Sequence, residues 1–182
     1  MEPSAHVTQL RNRIRSMPVS PPPSPWRRIA AHPVGGITDV GYAPGSDMLL
    51  VVTHDGRGVF DGTTGQRVAR DTAPLPDAWH DRIRMTAAGI GPIGGVNIRL
   101  AGLWGRGLLA TAPDSWSLEI VSPDWPEHQA ILSPPGCDIF SADRAQGCTK
   151  VSHIDELRAW GFSETGRSFV LAQSHTLEIF GR

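Results

Sequence analysis

The chain has no excess of charge of either sign, since its 182 residues carry 17 Lys and Arg against 18 Asp and Glu. A protein that binds nucleic acid normally shows a basic excess, so this balance argues against that class. No apolar run approaches the length that crosses a bilayer, and residues 1–17 show no apolar signal-peptide core and no small-residue cleavage site. We therefore expect a cytoplasmic protein that binds neither nucleic acid nor membrane.

Cysteines are scarce as well. Cys137 and Cys148 are too few for a disulfide framework, and we expect free thiols. Together with His153 they could offer metal ligands, but their spacing fits no closed zinc module. Gly89, Gly91 and Gly94 match the spacing of a dinucleotide fingerprint, but the alternating residues 96–100 that follow predict a strand where that fingerprint needs a helix. The sequence thus predicts no metal and no cofactor.

Catalytic motifs are also lacking. The chain contains no Gly-x-Ser-x-Gly elbow, no cysteine in a recognisable catalytic setting and no pair of histidines at helical zinc-site spacing. We therefore predict a protein that is not an enzyme. The alternative is a small hydrolase with a site that follows no motif, in a pocket where His80, Asp81 or Cys148 converge.

Glycine and proline, in contrast, are abundant, with 20 and 16 residues. Both punctuate chains that turn often, which favours short strands and loops. The first part of the chain differs, because Val7, Leu10, Ile14 and Met17 lie at helical spacing on one face. Five prolines follow between residues 18 and 25 and favour an extended linker.

These patterns divide the chain into two parts. Residues 1–25 are expected to form a helix and a proline-rich linker, and residues 26–182 a single all-β domain. Within that domain, residues 36–70 contain four short strand patterns joined by tight turns. A shift of 120 residues without a gap superimposes this pattern on the end of the chain, with Ile37 on Leu157 and Phe60 on Phe180.

A weaker copy lies between these two. A shift of 59 residues brings the second and third strand patterns onto residues 108–120. Repeats of this kind predict units that cannot bury their apolar faces alone and therefore pack against one another. We expect three blade-like units, at about 26–72, 88–133 and 134–182.

Two segments carry a family resemblance. Val40-Gly-Tyr-Ala-Pro-Gly-Ser-Asp47 and Trp160-Gly-Phe-Ser-Glu-Thr-Gly-Arg167 each precede a small apolar strand. In this they resemble the centre of a blade in the WD-repeat and related β-propeller family. Residues 36–70 and 151–182 share the resemblance well, and residues 104–132 share it loosely. It implies antiparallel sheets whose variable loops recognise partners.

The chain departs from that family in three respects. Phe60-Asp61 and Phe180-Gly181 stand where a Trp-Asp pair would close a blade. The repeat of about 60 residues exceeds the usual blade length, and three units are fewer than a closed ring needs. We therefore predict an all-β fold of three blade-like antiparallel sheets, as an incomplete propeller or a multi-sheet sandwich, with a short N-terminal helix.

Candidate binding residues cluster in loops. Asp77-Ala-Trp-His-Asp-Arg82 combines aromatic and charged side chains, and Leu-Trp-Gly-Arg-Gly places a second Trp and Arg in another loop. Trp and Arg surrounded by charged residues are typical of protein interfaces. The predicted partner-binding residues are Asp77, Trp79, His80, Asp81, Arg82, Trp104, Arg106 and Trp125.

The function expected from these features is protein binding. A compact cytoplasmic chain without catalytic motifs resembles the immunity proteins that bacteria keep beside secreted toxins, and the Ala-, Arg-, Gly- and Pro-rich composition suits a GC-rich bacterial source. The resemblance implies a protein partner, a toxin domain whose active site is occluded by loops or by the N-terminal segment. The alternative is a scaffold or assembly subunit, such as a half-propeller that closes by dimerising.

Overall fold

A computed structural model describes residues 4–72 and 79–182. The helix α1 spans Ala5–Ser16, and the hydroxyl of its N-cap Ser4 accepts a hydrogen bond from the backbone N–H of Val7. The strands in chain order are β1 (Arg27–Pro33), β2 (Ile37–Tyr42), β3 (Met48–Thr53), β4 (Gly56–Asp61), β5 (Arg67–Asp71), β6 (His80–Asp81), β7 (Thr86–Ala88), β8 (Asn97–Arg99), β9 (Ala101–Gly102), β10 (Ser117–Val121), β11 (His128–Ser133), β12 (Thr149–Ile154), β13 (Leu157–Phe162), β14 (Ser168–Gln173) and β15 (Thr176–Gly181).

The described strands form four antiparallel sheets. Sheet 1 has the order β6-β7-β8, sheet 2 has β5-β4-β3-β2-β9, sheet 3 has β1-β15-β14-β13, and sheet 4 has β10-β11-β12. The all-β class, the blade-like antiparallel sheets and the N-terminal helix are thereby confirmed. The number of sheets differs from the expected three, because sheet 1 was not predicted. The strand predicted at residues 96–100 is found as β8, but β6 and β7 have only two or three residues and are too short to show a hydrophobic period.

The sheets pack in a row. Leu49 and Val51 of β3 face the core between sheets 2 and 3, whereas Leu50 and Val52 face the core between sheets 2 and 1. The residues of β14 divide in the same way between sheets 2 and 4. Because successive side chains of a strand point to opposite faces, a strand buried on both sides reads as a continuous apolar run.

The row is open at its ends. Helix α1 packs on the outer face of sheet 4, where Ile14 contacts the cluster that contains Ile131. Among the described residues, sheets 1 and 4 share no buried cluster. The sheets therefore do not close into a ring. We find no helix, within the part of the chain that the structure describes, with the length and apolar character needed to cross a membrane.

The repeat of 120 residues holds strand by strand. The strands β2, β3 and β4 begin and end 120 residues before β13, β14 and β15. Both copies also contain the same bulge, which follows Ile37 in one and Leu157 in the other. The central copy is more degenerate, since Leu109 and Thr111 form only isolated bridges beside β13 and β10.

The fourth strand of each copy comes from a different part of the chain. In sheet 2 it is β5, which directly follows β4, and Arg67 lies opposite Phe60. In sheet 3 it is β1, from the start of the domain, and Arg28 lies opposite Phe180. β1 therefore lies beside β15 rather than beside β2, and its pairing joins the two ends of the β domain in one sheet.

A buried carboxylate links the two copies. Asp47 is 4% exposed and accepts hydrogen bonds of 2.8 Å from the hydroxyls of Ser163, Thr165 and Ser168. Arg167 donates to the same carboxylate at 2.8 Å. Asp47 and Arg167 occupy equivalent positions of the repeat. The two equivalent turns therefore meet through an ion pair.

The protonation of Asp47 reflects this environment. Burial alone would raise the pKa of Asp47, but the hydrogen bonds from Ser163, Ser168, Thr165 and Arg167 outweigh burial and hold its pKa below the ordinary value. The charged form of Asp47 therefore stabilises the contact between sheets 2 and 3.

Replacing Asp47 should destabilise the fold. We expect Asp47→Ala to lower the free energy of unfolding by about 3 kcal/mol, because it removes a buried charge and leaves its hydroxyl partners unpaired. Urea denaturation followed by tryptophan fluorescence measures the change. The matched control is Asp55→Ala in the exposed β3–β4 turn, which should cost roughly 0.5 kcal/mol or less. Equal losses in the two variants would contradict the role of Asp47.

The contribution of Asp47 should also depend on pH. A carboxylate with a lowered folded-state pKa stabilises the protein above its unfolded-state pKa of about 4, and the stabilisation disappears as the pH falls through the folded-state pKa. The difference in unfolding free energy between the wild type and Asp47→Ala should therefore shrink between about pH 6 and about pH 3. A difference that stays constant over this range would show that the charge of Asp47 is not what stabilises the contact.

Candidate functional site

Two loops lie side by side at the junction of sheets 1 and 2. Pairing of β7 with β8 sets Thr86 opposite Arg99, and the backbone N–H of Leu100 donates to the carbonyl of Met85 at 2.8 Å. The chain then continues into β9, which pairs with β2. These contacts place the turn 79–85 beside the loop 99–108, and we call these two segments the loop face.

Large apolar side chains project from the loop face. Ile83 is 96% exposed, Trp104 is 60% exposed and Leu103 is 50% exposed. The exposed part of such a side chain gains nothing from folding, because it stays in water. Their positions on two neighbouring loops make the loop face the candidate binding surface.

The turn that carries Ile83 is ordered by Asp81. The carboxylate of Asp81 accepts hydrogen bonds from the backbone N–H groups of Ile83 at 3.0 Å and Arg84 at 2.8 Å. These bonds, above all the one from the backbone of Arg84, lower the pKa of Asp81. Asp81 was predicted to bind a partner, and its contacts in the structure are with its own turn, where it holds Ile83 in place.

The second loop is held by a tight turn and contains a strained residue. Gly102 and Gly105 bond to each other through both backbone N–H groups, at 3.1 and 3.0 Å, and this turn presents Leu103 and Trp104. Arg106 has a φ of 57°, in the left-handed region that non-glycine residues rarely occupy. Strain of this kind is found disproportionately at binding sites.

A buried carboxylate lies beneath the loop face. Asp39 of β2 is 1% exposed, and its Oδ2 atom has no hydrogen-bond partner among the described residues. Burial raises the pKa of Asp39, an effect that a hydrogen bond with Thr38 and the charges of His80 and Arg82 partly offset. His80 belongs to β6 and Arg82 to the turn that follows it, so both of these charges come from the loop face.

The exposed charge of the loop face is basic. Arg99 and Arg106 form no ion pair within residues 4–72 and 79–182, and both line a groove of about 380 Å³. Asp81 pairs with Arg84 at 3.2 Å. Glu164 lines the same groove as the two arginines but pairs with neither, and it accepts a hydrogen bond of 2.7 Å from the backbone of Gly45. The two unpaired guanidinium groups can therefore bind carboxylates of another molecule.

The predicted residues fall into three groups. The loop face brings together Trp79, His80, Asp81, Arg82, Trp104 and Arg106. Within this group, Trp79 is partly buried with the guanidinium of Arg57 at 4.5 Å from its ring, so it packs rather than projects. Asp77 lies outside the described residues. Trp125 is 79% exposed, but it lies in the turn after β10, where its neighbour Asp124 forms an ion pair with Arg15 of α1.

Sequence reasoning missed Ile83, Leu103 and Arg99. An isoleucine between two arginines, in a segment bounded by turn residues, was a usable signal for Ile83. The other two gave none, because they adjoin apolar strand patterns. Within the described part of the chain, the structure brings no three His, Cys, Asp or Glu side chains together in a group that could hold a metal ion.

The loop face thus combines exposed apolar side chains with unpaired guanidinium groups on two ordered loops. That combination suits recognition of a surface that carries carboxylates beside an apolar patch. No family model and no curated protein matches the sequence. The function must therefore be inferred from the loop face and its chemistry.

Proposed function

We propose that the chain is a non-enzymatic protein-binding module whose loop face contacts a partner protein. The observation that carries this proposal is the exposure of Ile83, Leu103 and Trp104 on adjacent, hydrogen-bonded loops. Ordered loops lose little conformational freedom on binding, so apolar side chains held in this way contribute most of their burial to affinity.

The partner carries acidic groups where it meets the loop face. Arg99 and Arg106 have no ion pair among the described residues, so a carboxylate of the partner would gain charge-assisted hydrogen bonds without displacing an internal one. Such complementarity raises association rates and selects among partners. The net charge of −1 for the whole chain does not oppose this, because the basic character is local.

Within this class, we propose an immunity protein that covers the active site of a bacterial toxin. Ile83 and Trp104 project from turns and suit insertion into a cleft, and Arg99 and Arg106 suit an acidic rim around that cleft. The cytoplasm, where a toxin would have to be neutralised before it acts, is the compartment that this proposal requires.

Truncating a central side chain of the loop face should weaken partner binding. We expect Trp104→Ala to weaken binding by about 2 kcal/mol or roughly thirtyfold, as for a central aromatic residue of an interface. Affinity capture from the organism that encodes the chain identifies the partner, and surface plasmon resonance measures the change. Trp125→Ala is the matched control, an exposed Trp outside the loop face. Loss of binding in the control alone would place the interface at the β10–β11 turn.

The immunity proposal has its own test. The reading frame next to the gene should encode a toxin domain, and co-expression with this chain should restore the growth of cells that produce the toxin. The double variant Ile83→Ser with Trp104→Ala should fold, because both side chains are exposed, but fail to protect. Protection by this variant equal to that of the wild type would contradict inhibition through the loop face, even if a toxin is the partner.

A further inference from the structure

One of the differences between the two copies of the repeat lies in their outer strand pair, at Glu178 and its equivalent position. In sheet 3, Glu178 is 5% exposed, and its carboxylate accepts hydrogen bonds from Arg28 at 3.0 Å and from Ser152 at 2.8 Å. Arg28 belongs to β1, the outer strand, and Glu178 to β15 beside it. The arginine of this outer strand is thus neutralised within its own sheet.

In sheet 2, the arginine is retained and the carboxylate is lost. Arg67 of β5 occupies the position of Arg28, since each lies opposite the equivalent phenylalanine and next to the same bulge. The position of Glu178 is taken by Gly58, 120 residues earlier. Arg67 forms no ion pair and no side-chain hydrogen bond with the residues that the structure describes, and the same holds for Arg70, which lies opposite Gly58.

The missing side chain leaves an open groove. Arg67 and Arg70 line a space of about 370 Å³ over Gly58, and Val51 and Phe60 form an apolar wall. A Cβ atom at Gly58 would meet its nearest neighbour, the carbonyl of Ala69, at an ordinary distance of 3.5 Å. The backbone therefore does not require glycine at this position, and the absence of a side chain leaves room beside Arg67.

Internal carboxylates do not neutralise the groove. Asp71 lines it but pairs with Arg57 at 3.0 Å, and Asp55 lies in the exposed turn between β3 and β4. Because Arg57 and Asp71 neutralise each other, Arg67 and Arg70 are left with only Asp55 to balance their charge. The groove keeps a positive charge beside an apolar wall, in a volume typical of sites for small molecules.

We propose that this groove binds a small carboxylic acid, with its carboxylate on Arg67 where Glu178 meets Arg28 in the other copy. The guanidinium group pairs with a carboxylate through two parallel hydrogen bonds, and Arg70 supplies a second cation in the same groove. The apolar body of the ligand packs on Val51 and Phe60. This site is separate from the loop face and does not depend on the proposed protein partner.

Calorimetric titration of the full chain tests the proposal. The probe is phenylpropionate, and its neutral analogue phenylpropanol and inorganic phosphate are the comparisons. We expect saturable one-to-one binding of phenylpropionate and weaker binding of both comparisons. Arg67→Ala should weaken binding about tenfold or more, because it removes a charged hydrogen-bonding partner. Arg28→Ala, the equivalent arginine that is already paired, should leave the affinity unchanged.

A second variant, Gly58→Glu, places a carboxylate of the chain itself at the position that Glu178 occupies in the other copy. Gly58→Glu should fold, since its Cβ has room, and should lose phenylpropionate binding because its own carboxylate occupies Arg67. Circular dichroism confirms the fold of each variant. The proposal is overturned if phenylpropionate does not bind saturably, if Arg28→Ala weakens binding as much as Arg67→Ala, or if Gly58→Glu binds like the wild type. Phosphate binding as tight as that of phenylpropionate would overturn the assignment to carboxylic acids.

Discussion

One buried carboxylate fixes the relation between the two halves of the molecule. Asp47 reaches from a turn of sheet 2 into the equivalent turn of sheet 3, where three hydroxyls and Arg167 surround it. Two copies of one repeat have the same hydrophobic pattern, so apolar contacts alone specify their relative register weakly. A charged hydrogen-bond network demands a single geometry. Sheets 1 and 4 pack on the outer faces of sheets 2 and 3. The position of the loop face, at the junction of sheets 1 and 2, therefore depends on this packing.

The repeat of 120 residues could be detected in the sequence because sheets 2 and 3 are buried on both sides. The strands β3 and β14 each contain a continuous run of apolar residues, and the two runs made the shift of 120 residues visible. Of sheet 1, the sequence indicated only the strand at residues 96–100, because strands as short as His80–Asp81 show no hydrophobic period. The pairing of β1 with β15 joins residues about 150 positions apart, and no local signal in a sequence reports such a contact.

The candidate site could be predicted in part from the sequence. Trp104 and Arg106 could be proposed from residue type, because Trp and Arg side chains in a glycine-rich loop are typical of protein interfaces. Whether two loops meet depends on tertiary structure, and this separated Trp125 from the others. The same applies to the groove over Gly58. The groove becomes a candidate carboxylate site only when the two copies are superimposed, because Arg67 then lacks the carboxylate partner that Arg28 has.

The central functional claim is that the loop face binds a protein. Hydrogen–deuterium exchange of the chain, alone and with its captured partner, tests it most directly, because exchange reports protection along the whole backbone. The account predicts slower exchange at residues 79–85 and 99–108 in the complex, with the turn around Trp125 unchanged. Protection confined to α1 or to the turn around Trp125, with unchanged exchange in the loop face, would contradict it.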